Sequence, residues 1–143
     1  MKSAEYDVIG DIHGCASTLR ALLTELDYKE QDGVHRHPER QVIFLGDFVD
    51  RGPQQREVIG IVRRMVESGP ALAVMGNPEF NAIAYSTPDP VGHGYLRPLS
   101  VNNRNQHPPF LDAHEDEPQG YDDCTDSHLT PHATLRAELL VFR

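Results

Sequence analysis

The stretch Val42–Pro53, VIFLGDFVDRGP, decides how the chain is to be read. Val42 to Leu45 is an unbroken apolar run, the pattern of a strand covered on both faces. It stops at Gly46, and Asp47 follows at once. Glycine permits the sharp turn and close backbone approach that a strand end facing a ligand requires. Two other stretches share this form. DVIGDIHG (Asp7–Gly14) closes a short apolar run, Tyr6–Ile9, with Gly10-Asp11, and ALAVMGNPEF (Ala71–Phe80) closes another with Gly76-Asn77.

Helical patterns separate these runs. Leu19, Leu22, Leu23 and Leu26 recur at the spacing of one helix face over about 17–27. Val58, Ile61, Val62, Met65 and Val66 form a second stripe, which Gly69-Pro70 ends. Gln31–Arg40 is polar, carries Gly33 and Pro38, and reads as a loop. Strand–helix–strand–helix–strand predicts an α/β fold with right-handed crossovers and a parallel sheet. The carboxyl ends of such strands lie along one edge, and ligands bind in the crevice beyond it.

The three strand ends should therefore converge and deliver Asp11, Asp47 and Asn77, with His13 two residues past the first. Any one Gly-Asp is an ordinary turn. Three together, with His13 and Asp50-Arg51-Gly52-Pro53, carry more weight. Carboxylates so close repel, and a cation relieves the repulsion. Mixed carboxylate, amide and imidazole ligands suit Mn²⁺, Fe or Zn²⁺ better than Ca²⁺ or a thiolate site.

The whole chain sets limits on partners. At 143 residues it has the length of one domain, and its net charge of −9 argues against a basic nucleic-acid groove or a polybasic membrane patch. Two cysteines, Cys15 and Cys124, make no disulfide framework. No apolar leader or membrane-length run is present, so the cytoplasm is the expected location. Cys15 follows the first glycine-rich turn at a helix mouth, where a reactive thiol or a quiet capping role both fit.

Beyond Ser86 the pattern dissolves. Residues 86–131 are rich in Pro, Asp, His and Asn and read as a polar insertion or loop, either functional or poorly ordered. ATLRAELLVFR at the end resumes an amphipathic helix, with Leu135, Leu139 and Leu140 on one face. The expected organisation is a metal-binding βαβαβ half-domain over 1–85, the polar segment over 86–131, and the start of a truncated helix over 132–143.

GDIHG, GDFVDRGP and GNPE resemble the three N-terminal signatures of the calcineurin-like metallophosphoesterases, in the branch of diadenosine-tetraphosphatases and serine/threonine phosphoprotein phosphatases. Those patterns run GDxHG, GDxxDRG and GNHE, and the resemblance covers about 7–81. It implies half of a β-sandwich flanked by helices, with the C-terminal half missing. It further implies that Asp11 and His13 hold a first metal, that Asp47 bridges two metals and that Asn77 binds the second. Arg51 would grip phosphate oxygens with its planar donor fork. Such sites hold two ions roughly 3.5–4 Å apart, which activate a water for attack on phosphorus. The expected cofactors are divalent ions, Mn²⁺ first, and the expected partner is a phosphorylated small molecule or nucleotide.

Two departures qualify this. Pro78 stands where the signature has histidine, a group placed to protonate the leaving oxygen, with the counterpart of Asp50 orienting its ring. General acid catalysis contributes ~10²–10⁴-fold, so its loss should impair turnover. Proline is nonetheless acceptable to the fold, because Asn77 suits an N-cap and Pro78 the first helical position. The family also draws two histidines from its second half. Here the candidates are His93, His107, His114, His128 and His132, and none follows an apolar strand. The expectation is one competent metal site and one crippled one. The alternative to an impaired hydrolase is a truncated, non-catalytic metal- or phosphate-binding relic.

Overall fold

The computed structural model describes residues 5–92, 94–98 and 100–106. Three strands, β1 (Glu5–Ile9), β4 (Arg40–Phe44) and β5 (Ala71–Ala73), form a parallel sheet in the order β1-β4-β5. Between them run α1 (Ala16–Glu25), the pair β2 (Lys29–Gln31) and β3 (Val34–Arg36), and α2 (Gln55–Glu67). α3 (Asn77–Ser86) and the short α4 (Val101–Gln106) follow. Ile9 pairs with Phe44, and Phe44 with Ala73, so the three strands stop level with one another.

Both long helices pack into one core with one face of the sheet. Ile9, Val42, Phe44, Ala71 and Ala73 meet Leu19 and Leu23 of α1 and Val58, Ile61, Val62 and Met65 of α2, all buried. Val66 is only partly covered. Full burial of an aliphatic chain contributes about 1.5–3 kcal/mol, so the α2 stripe anchors the layer. Asp7, on the same side, is matched by the phenol of Tyr28 at 2.9 Å and by Arg40 Nε at 3.2 Å. Burial and that hydrogen bond together push the Tyr28 phenol well above its usual range.

Three expectations need correcting. The apolar run of β4 is not covered on both faces among the described residues. Val42 and Phe44 are fully buried, but Leu45 is 51% exposed, beside Val8 at 61% and Leu72 at 54%. The alternation of side chains along a strand sends these to the opposite face, which no described helix overlies. Gln31–Arg40 is not a plain loop, because β2 and β3 pair antiparallel and make the strand set mixed. Its turn is Asp32-Gly33, both at positive φ, the dipeptide that a tight hairpin favours. Leu22, assigned to the buried stripe of α1, is 41% exposed, while Leu19 and Leu23 carry the packing.

Within the polar segment, Pro88 bridges Tyr95 and α4 is helical, so its described part has local order. His93, His107, His114, His128, His132, Cys124 and the expected helix over 132–143 lie outside the described residues. No helix among the described residues is long and apolar enough to cross a membrane.

Candidate metal centre

The loops that leave β1 and β4 are laced together by their backbones. His13 N–H donates to Asp47 O at 2.8 Å, Gly14 N–H to Phe48 O at 2.8 Å, and Gly52 N–H to His13 O at 2.9 Å. So close an approach leaves no room for side chains. A β-carbon on Gly14 would stand 2.6 Å from Gly52 O, and one on Gly52 would stand 2.3 Å from His13 O. The third strand end is equally tight, since a β-carbon on Gly76 would meet Asp47 Oδ1 at 2.0 Å.

Asp11, His13, Asp47, Asp50 and Arg51 all adopt positive φ, between 44° and 72°. A non-glycine residue there costs about 1–3 kcal/mol and persists only where its surroundings over-determine it. Five such residues in two facing loops mark the crevice as the place where local comfort is given up. The backbone lacing above is what holds them.

That conformation brings three donor side chains together. One ligand atom each from Asp11, His13 and Asp47 lies within 4.8 Å of the others. His13 Nε2 is 3.7 Å from Asp11 Oδ1 and 3.9 Å from Asp47 Oδ2. On the other side of the ring, Nδ1 donates to Val49 O at 3.0 Å. This carbonyl can only accept, so a proton sits on Nδ1, and Nε2 is the nitrogen turned toward the two carboxylates, where it could ligate a cation. That is the usual way in which a metal-ligating imidazole is oriented. The separations are near those between ligands of one divalent ion, whose bonds to nitrogen and oxygen run to about 2.0–2.6 Å. The three side chains fit a divalent cation. Asp11 is 86% exposed, which leaves the cluster open to solvent.

The other nominated residues are placed differently. Asn77 is exposed and opens α3, with Gly76 as the capping residue. Helix entry therefore lies one position earlier than expected, and Pro78 occupies the second helical position. Asp50 is buried, its N–H donating to Gln55 Oε1 at 2.9 Å, and it stands outside the three-donor cluster. Arg51 is exposed and makes no hydrogen bond or ion pair with any described residue. A cavity of about 1180 Å³ adjoins the cluster, and His13, Asp50, Arg51 and Pro78 line it. Cys15 caps α1 without a side-chain capping bond, and its Sγ reaches His13 O at 3.6 Å.

One residue escaped the sequence reading except as part of a signature. Glu79 is fully buried. Its carboxylate accepts N–H bonds from Asp47 at 2.9 Å, Phe48 at 2.7 Å, Val49 at 3.1 Å and Gly76 at 2.8 Å. Its only signal was a glutamate three residues into a helix, where such a residue commonly bonds the capping N–H.

The calcineurin-like phosphoesterase family profile matches residues 6–135. The chain belongs to that family. Among curated calcineurin-like relatives is the asymmetrical bis(5'-nucleosyl)-tetraphosphatase PrpE of Halalkalibacterium halodurans, 43% identical over 74 residues, which cover 51% of this chain and 30% of that protein. PrpE of Bacillus subtilis is 35% identical over 144 residues, covering 93% of this chain and 59% of the relative. PrpE of Bacillus velezensis is also 35% identical, with 93% and 57% covered. The chain thus spans at most about three fifths of these PrpE proteins. A crystal structure provisionally assigned as a diadenosine tetraphosphatase aligns with 59% of this chain and 33% of its own, at 25% identity and a TM-score of 0.48.

Proposed function

We propose that the chain is a metal-dependent phosphoesterase that hydrolyses phosphoester or phosphoanhydride bonds, with dinucleoside polyphosphates as the substrate class. The observation that carries this is the Asp11–His13–Asp47 cluster, with His13 Nδ1 tied to Val49 O. The names of the PrpE relatives supply the substrate class. In this reading Asp11, His13, Asp47 and Asn77 hold divalent ions, Mn²⁺ first among them. When bound, such ions supply Lewis-acid stabilisation and an activated water.

The remaining steps fall to the chain itself. Arg51, uncommitted at the cavity wall, presents two parallel N–H donors to phosphate oxygens and holds phosphorus in line for attack. Asp50, buried at the same cavity, has no signature histidine to orient. Pro78 lines the same cavity and offers no proton, so the departing oxygen takes its proton from solvent. Turnover is accordingly slow. The domain division at 85 and 131, the cytoplasmic location and the divided, half-crippled metal site belong to the same proposal.

A second reading is the non-catalytic relic, which binds a metal ion and phosphate without turnover. Pro78 at the cavity wall favours it. The two are separated by turnover of p-nitrophenyl phosphate and diadenosine tetraphosphate with added Mn²⁺. Slow, Mn²⁺-dependent release of p-nitrophenol from the one substrate, or of mononucleotides from the other, supports the hydrolase, and binding without product supports the relic.

A further inference from the structure

We propose that Glu79 is a positioning residue for the cation site, a side chain that ties the ends of β4 and β5 together directly and the end of β1 through Val49. The inference rests on the metal reading above. A buried carboxylate without partners is costly, and Glu79 resolves that cost with four backbone N–H donors. The bond to Gly76 N–H is what a helix-starting glutamate ordinarily makes. The other three serve no helix. They hold Asp47, Phe48 and Val49, about thirty positions earlier, in the turn where Asp47 adopts a φ of 57°.

Each held amide has a consequence at the site. Glu79 Oε2 fixes the backbone of Asp47, whose side chain is one of the three donors and whose carbonyl accepts His13 N–H at 2.8 Å. Glu79 Oε1 fixes Val49 N–H, and the carbonyl of that residue accepts His13 Nδ1–H. Gly76 N–H brings in the third strand end, directly before Asn77. One carboxylate therefore orients Asp47 directly, His13 through Val49, and the start of α3.

The test compares Mn²⁺ affinity by titration calorimetry in the wild-type chain, Glu79→Gln and Val62→Ala. The glutamine keeps the shape, but its NH₂ group confronts N–H groups that it cannot bond. Val62 is a fully buried core residue of α2, so its variant reports what general loss of stability does to binding. Glu79→Gln should bind Mn²⁺ about 10–100-fold more weakly, as outer-shell changes typically do, while folded Val62→Ala binds like the wild type. Equal affinity in the two variants overturns the inference and leaves the metal site standing. A wild-type chain that binds no Mn²⁺ overturns the metal reading, and this inference with it. Should Glu79→Gln fail to fold, amide exchange in the wild type decides. Mn²⁺ should slow exchange at Asp47, Phe48, Val49 and Gly76 more than at the core amides of α2, and a uniform change counts against the role.

Discussion

On the β1–β4 side of the crevice, backbone hydrogen bonds at 2.8–2.9 Å lock two loops together, and they present Asp11, His13 and Asp47 at mutual distances suited to one ion. On the β5 side a bare glycine presses on Asp47 and Glu79 bonds the turn after β4, while Asn77 is exposed and Pro78 buried. The first side is a ligand set that oriented itself through the backbone. The second offers a single amide and a residue with no proton to give. In the proposed reading two metals would draw on both sides, whereas one metal would draw on the donors of the first. The donor side chains come from the first side, while Glu79 of the second holds the turn that carries Asp47.

The sharpest way to break the comparison is to remove the donor that both sides share. Asp47→Asn should abolish measurable Mn²⁺ binding, exceeding the ~10–100-fold loss of an outer-shell change. Retention of affinity would mean that the cluster is a surface coincidence. Next, Gly76→Ala forces a β-carbon to within 2.0 Å of Asp47 Oδ1. Overpacking of this kind costs about 1–3 kcal/mol, so the melting temperature should fall together with Mn²⁺ affinity. An unaltered affinity would show that Asp47 can move without harm.

Pro78→His sharpens the other side. It should raise Mn²⁺-dependent hydrolysis of p-nitrophenyl phosphate by up to ~10²-fold, toward the lower range of general acid catalysis, with Mn²⁺ affinity little changed. No gain in rate would show that the lack of an imidazole at residue 78 does not limit turnover. The smallest effect lies away from the crevice. Burial, reinforced by Arg20 and Arg64 and opposed by Glu30, holds the His35 imidazole below its ordinary 6.5. The unfolded chain then binds the proton more readily, so stability present above pH 6.5 declines as the pH falls below it. Thermal melts from pH 7.5 to 5.5 should show a shallower decline in His35→Gln than in the wild type.

The strand ends were legible because their signal is local: an apolar run, a glycine and a polar residue. Coverage of the sheet was less so. VIFL looks the same whether one face or two are packed, and among the described residues no helix covers the face that carries Leu45 and Leu72. The Asp32-Gly33 turn was present in the sequence, but the short strands flanking it, KEQ and VHR, are too polar to announce a hairpin. Glu79 was hidden for another reason. Its partners lie 30–32 positions away, and no periodicity links a helix-starting glutamate to the turn after a distant strand.

The most direct measurement is the stoichiometry of Mn²⁺ binding to the full chain by titration calorimetry, repeated on His13→Ala. One tight Mn²⁺ per wild-type chain is expected, with loss of that binding in the variant. No binding by the wild type, or equal binding by the variant, would contradict it.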